Sequence, residues 1–313
     1  MSDNTITAYS VADADRQLTL WGLRSDPDDI ELPKKIIDAV CNNEKTVRGN
    51  ATEYHNLASE FARQRMYRYA TAVATTGAKK YKNDVDLLAD ILKFGSQSQE
   101  WEGCDIAYRR LQSIGYSKWS WRTFTFTFDY LIDLEDQPSD FGERNIKDEI
   151  LPLIKAYKKL NDERAWVAEA EYHIKNGDNA AAEKTLLSCV QKVHVTPQCC
   201  LKLADIFLKK GKYNDVIKYS AIGVRSAAQE QPSISTGYLY YVSALAKDAL
   251  IHDEAIQYPN EDGKGFMNRA AVEDALCHYS IAADLLSDRR NYLKTIEQRT
   301  IILRKKSALN SDI

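Results

Sequence analysis

Two stretches, AWVAEAEYHIKNGDNAAAEKTLLSCV (165–190) and CCLKLADIFLKKGKYNDVIKYSAIGV (199–224), each read as helix, tight turn, helix. Setting Gly177 on Gly211 also sets Ala170 on Ala204, Ala182 on Val216 and Cys189 on Gly223, every pair 34 residues apart. The same interval separates Ala58 from Leu92 and Ala70 from Cys104 in two earlier helical stretches.

Small residues at two facing positions let paired helices approach closely, and large residues around them fill the space toward the next pair. One such hairpin cannot bury its faces alone, so the pattern implies a stack. The punctuation agrees: Gly177 and Gly211 fall at the turns, where positive φ is often required, and Pro197 and Pro232 fall between hairpins.

A helical-hairpin period of 34 resembles the tetratricopeptide repeat. Trp166, Ala170, His173, Gly177, Ala182, Leu186 and Cys189 stand at that family's packing places. Leu203, Ala204, Phe207, Gly211, Tyr213 and Val216 repeat them, as do Tyr54, Leu57, Ala58, Phe61, Tyr67, Ala70 and Ala74. The unit between has Gly95 where an aromatic is expected, lacks a turn glycine, and is carried by Trp101, Cys104 and Tyr108. The resemblance implies an all-α, right-handed superhelix of about six helical hairpins closed by a C-terminal capping helix.

The stretch WSWRTFTFTFDY (119–130) alternates like a half-buried strand. A lone strand would have no edge partner in such a stack, so we expect a first helix of a hairpin instead. Its frame puts Trp121, Phe124, Thr125 and Phe128 at packing places. Tyr116, Trp119 and Arg122 also spell Y-x2-W-x2-R, similar to the repeat of protein prenyltransferase α subunits, but the motif occurs once. The second helix of this hairpin is expected in IKDEILPLIKAYKKL, bent or started near Pro152.

The expected partition is an N-terminal cap or degenerate repeat at 1–50, a repeat array at 51–287 and a capping helix and tail at 288–313. Within the cap, a helix near Ala12 to Leu23, the polar turn SDPDD and a helix over 31–43 entered through Pro33 are expected. Insertions are expected at 135–145 and 251–270, with GKGFMN (263–268) read as a flexible loop.

Composition bounds the function. The 42 basic and 45 acidic side chains leave a formal charge of -3, no surplus for a phosphate backbone, and no nucleic-acid partner is expected. The six cysteines make no CxxC pair and read as reduced thiols. No basic-then-apolar leader opens the chain and no window has the apolar length of a membrane span, so a cytoplasmic protein off the membrane is expected. The five histidines are scattered, and HExxH, GxSxG and Walker A sequences do not occur, so neither catalysis nor a cofactor or metal is expected.

In tetratricopeptide arrays the concave surface is made largely by the first helix of each hairpin. The resemblance therefore implies a groove with Thr52, His55, Asn56, Ser59 and Arg63, then Asp86, Asp90 and Lys93, then Arg122, Phe126, Asp129 and Tyr130. Arg164, Glu171 and Lys175, then Lys202, Asp205 and Lys209, then Tyr238 and Tyr241 continue it. Alternating charge with aromatics suits a peptide or another folded protein.

Chaperone-binding members of the family hold a C-terminal carboxylate with Lys and Asn. The matching places here are His55 and Ser59, Ala89 and Lys93, Val167 and Glu171, and Leu201 and Asp205, so a heat-shock chaperone tail is not the expected partner. The expected function is a non-catalytic protein- or peptide-binding scaffold. A peptide-responsive regulator and, less favoured, a helical-repeat enzyme or enzyme subunit are the alternatives.

Overall fold

The computed structural model describes residues 10–23, 30–42, 47–136, 145–227, 234–257 and 269–308. The SDPDD turn, the GKGFMN loop and the centres of both expected insertions lie outside them. Among the described residues the structure is α-helical throughout, apart from two short 3₁₀ turns and one isolated bridge between Ser10 and Arg48. The chain forms two compact units, Met1–Leu160 and Asn161–Ile313.

The first unit contains α1 (Val11–Leu23), α2 (Glu31–Cys41), α3 (Ala51–Arg63), α4 (Tyr67–Lys80), α5 (Val85–Ser98), α6 (Trp101–Ile114), α7 (Trp121–Glu135) and α8 (Lys147–Tyr157). Helices α3 with α4, α5 with α6 and α7 with α8 are hairpins, and the first helices α3, α5 and α7 pack side by side. Helix α1 lies against α3, and α2 against α4, burying Val11, Ala14, Leu18, Ile36 and Val40. Asn50, Asp84 and Ser120 cap α3, α5 and α7 by accepting from Glu53, Leu87 and Thr123 N–H at 3.0, 2.9 and 3.2 Å. Such caps satisfy donors that a helix start leaves without partners.

WSWRTFTFTFDY is helical from Trp121, and of the four expected packing residues Phe124 and Phe128 are buried while Trp121 and Thr125 are not. Phe124, Thr127, Phe128 and Leu131 are buried, Thr125 is only partly so, and Trp121 is 46% exposed. The buried face is thus widened toward Thr123, Thr127 and Tyr130, while Arg122, Phe126 and Asp129 stay partly exposed. Phe124 stacks on Tyr157 of α8 with ring centres 4.9 Å apart and planes within 5°. Thr125 places its hydroxyl on Trp121 carbonyl and on Tyr157 hydroxyl of the paired helix α8, at 3.0 and 2.9 Å. Pro152 sits inside α8, exposed.

The second unit contains α9 (Glu163–Lys175), α10 (Asn179–Lys192), α11 (Pro197–Lys209), α12 (Tyr213–Ala227), α13 (Ile234–Gln257), α14 (Arg269–Leu285) and α15 (Arg290–Ala308). Its hairpins are α9 with α10, α11 with α12 and α13 with α14, and α15 closes on α14. Val167, Ala170, Ala182, Leu186, Cys189, Leu203, Ala204, Phe207 and Val216 form one core, which includes the 34-spaced pairs Ala170 with Ala204 and Ala182 with Val216. His173, expected among them, is half-buried beside Tyr172, which takes the buried place. Glu163 of α9 reaches the start of α11 and accepts from Gln198 and Cys199 N–H at 3.0 and 3.1 Å.

The hairpin turns repeat one backbone device. Gly177 and Gly211 adopt φ of 77° and 66°, and Arg65 and Gln99, again 34 apart, adopt 60° and 64°. The second hairpin therefore makes the same left-handed turn without glycine. Gly95, the residue out of pattern, is where α5 meets α6: a Cβ there would stand 2.5 Å from Cys104 Sγ.

Candidate functional site

In the first unit the side-by-side first helices bring six of the expected groove residues into one connected set. Asp90 lies at its centre and is 0% exposed. Its Oδ2 stands 2.5 Å from His55 Nδ1 of α3, and its Oδ1 accepts from Arg122 of α7 at 2.9 Å. Burial raises the Asp90 carboxyl above its ordinary range, and the His55 and Arg122 contacts oppose that rise. One carboxylate thus joins three successive hairpins, and it is a linchpin below the surface, not the exposed recognition group expected of it.

Above it, Arg122 lies 4.7 Å and Lys93 5.6 Å from the centre of the Phe126 ring. Cations near a ring face are drawn by its quadrupole, which pre-orients both side chains. Lys93 also donates to Asp129 at 2.7 Å. At the N-terminal end, Asp86 accepts from Ser120 Oγ at 2.9 Å, which ties the cap of α7 to α5. Sequence reasoning passed over Ser120, although its place just before the helical run is an N-cap signature.

Asn56 and Thr52 are exposed, Ser59 is half-buried, and Arg63 is exposed and paired with the buried Glu60. Tyr130 does not belong to this surface: it is buried, with its ring 5.8 Å from that of Tyr108 and 6.4 Å from that of Trp101. It continues the buried row of Thr123 and Thr127 on the same helix.

In the second unit Lys202 pairs with Glu171 at 2.7 Å, and Arg164 lies 3.6 Å from Asp162. Asp205 is half-buried, and burial raises its carboxyl while Lys202 and Lys209 oppose the rise. Lys175 and Lys209 are exposed. Tyr238 and Tyr241 both meet Tyr292 of α15 edge to face, with ring centres 4.9 and 5.2 Å apart. Tyr292 therefore joins this set, and only the docking of α15 brings it there.

Among the described residues, no group of three or more His, Cys, Asp or Glu side chains could hold a metal ion. His278 stands 3.1 Å from Ser243 Oγ and 3.0 Å from Lys247 Nζ, but Ser243 is buried beyond reach of a substrate. Burial, and then the Lys247 charge, hold the His278 imidazole below its ordinary pKa. A shallow depression of about 440 Å³ lies along α10, beside Glu183, Leu187 and Lys210, and includes none of the expected groove residues. No helix of the described residues is long and apolar enough to cross a membrane.

The molecule is an all-α protein of stacked helical hairpins. No family model matches the chain, and no curated protein matches it. Among solved structures it is similar to the "TPR2AB-domain:pHSP90-complex of yeast Sti1", at 13% identity over 94% of this chain and 98% of that one. The TM-score is 0.32, a likeness too loose to carry any property of that complex to this chain.

Proposed function

We propose that the protein is a non-catalytic, tetratricopeptide-like scaffold of the cytoplasm that captures a segment of another protein on the first-helix face of α3, α5 and α7. The observation that carries this reading is the Asp90 linkage, which holds His55, Arg122, Phe126, Lys93 and Asp129 as one surface before any partner arrives. A pre-ordered surface lowers the conformational cost of association. Its balanced signs and single central aromatic suit a protein segment better than a polyanion. The family's carboxylate clamp does not occur at the matching places, so a heat-shock chaperone tail is not the partner proposed. The face of α9, α11 and α13, with Glu171, Lys175, Lys202, Asp205, Lys209, Tyr238 and Tyr241, is proposed as a second surface of the same kind.

The test is affinity capture from the native cell with the full chain, comparing wild type with Lys93→Glu, Phe126→Ala and Asn56→Arg. Arg122 is a poor probe, because its loss would strand the buried Asp90. Loss of the same captured protein in all three variants, with helicity unchanged, is the expected result. Retention of every captured protein by all three would refute the assignment of this face.

A further inference from the structure

Helix α15 has two sides of different character. Tyr292, Ile296, Arg299 and Leu303 form its inner stripe: Ile296 and Leu303 are buried, Tyr292 meets Tyr238 and Tyr241, and Arg299 reaches the buried Asp248 at 2.6 Å. Asp248 also accepts from Tyr279 hydroxyl at 3.2 Å, so one carboxylate of α13 joins α14 and α15.

Two positions away, which is about 200° around a helix, runs a second stripe of Arg290, Lys294, Glu297 and Ile301, flanked by Ile302, Arg304 and Lys305. A helix face turned to water carries polar side chains, which accounts for the charges. It does not account for the isoleucines: Ile301 is 46% and Ile302 38% exposed, beside Arg304 and Lys305. Four cations against Glu297 also make this stripe strongly basic on a chain whose formal charge is -3.

We infer that the outer face of α15 is a docking surface for an acidic protein segment that presents apolar side chains. It is separate from the first-helix faces proposed above and does not depend on them. Charge complementarity selects the occupant. A second copy of the chain meeting it through the same face would set one basic stripe against another, which repels. A lipid surface would match the charge, but interfacial helices carry a wide apolar face, whereas two isoleucines offer a small one. A phosphate backbone would make no use of the isoleucines.

The probe is a fluorescent amphipathic helical peptide with leucine along one face and glutamate on its flanks, titrated into the full chain and followed by anisotropy. A peptide of the same composition in scrambled order and one with lysine in place of glutamate are the controls. Saturable binding of the ordered acidic peptide alone is expected, falling roughly tenfold in Ile301→Ser/Ile302→Ser and roughly tenfold in Lys294→Glu/Lys305→Glu. All four positions are exposed, so helicity and thermal midpoint should stay unchanged. Equal binding of ordered and scrambled peptides, or binding indifferent to the isoleucine pair, overturns the proposal. So does a preference for phosphatidylserine vesicles over the peptide, or a dimer in sedimentation that Ile301→Ser/Ile302→Ser dissociates.

Discussion

The Arg122 guanidinium lies 2.9 Å from the carboxylate of Asp90, a side chain with no exposure to solvent. The two residues are 32 apart in sequence and sit on α7 and α5. Removing one partner of a buried ion pair leaves the other charge without compensation, a far larger cost than the pair's net worth. Arg122→Ala should therefore lower the stability of the first unit by about 3 kcal/mol. Asp90→Leu combined with Arg122→Met should recover most of it. Urea denaturation read by hydrogen exchange in α3, α5 and α7 checks both, and equal losses in the single and double variants would contradict the linchpin role.

The hairpin turns yield a prediction with opposite signs at equivalent places. Gln99 and Arg65 hold φ of 64° and 60°, a conformation strained for side chains with a Cβ, whereas Gly177 and Gly211 hold it freely. Gln99→Gly should stabilise by about 0.5 kcal/mol once the entropy of glycine is set against the relief of strain. Gly177→Ala and Gly211→Ala should each cost about 1 kcal/mol, and nothing lies within 4 Å of the added Cβ at either place to enlarge that. Thermal midpoints of the three variants test the signs.

Helices α5 and α6 touch at Gly95 and Cys104, where Sγ donates to Ile91 carbonyl at 3.4 Å. Gly95→Ala would place its Cβ 2.5 Å from that sulfur, so the helices must part or Cys104 must move. A loss of about 2 kcal/mol is expected, as for other overpacked contacts. Adding Cys104→Ala should return part of it by removing the obstructing atom. A double variant less stable than Gly95→Ala would show that the sulfur is not the obstacle.

Glu163 supplies a pH dependence in the second unit. Burial pushes its carboxyl from 4.5 up to about 7, against the two backbone N–H donors of Gln198 and Cys199. Between those values the folded chain holds a proton that the unfolded chain has released, so this group's contribution to stability falls as pH rises from 4.5 to about 7. Glu163→Gln keeps an acceptor for the start of α11 and should flatten that part of the profile. Thermal denaturation across this window reads the difference between wild type and variant. Parallel profiles would mean that the carboxyl is not shifted.

The amino-acid sequence by itself determined the helical hairpins, because their signals are local: small residues at fixed intervals, and turn glycines 34 residues apart at Gly177 and Gly211. It also placed His55, Lys93, Arg122, Phe126 and Asp129 on first helices. Tertiary packing alone decided how far each helix is rotated about its axis. In α7 packing buried Tyr130 against Tyr108 and Trp101 and left Trp121 half-exposed, and a single helix's periodicity does not distinguish the two settings. Packing likewise buried Asp90 between His55 and Arg122, since burial of a charge depends on partners 35 and 32 residues away. Tyr292 met Tyr238 and Tyr241 for the same reason: the sequence offers an amphipathic last helix, and the fold chooses which residues its inner face meets.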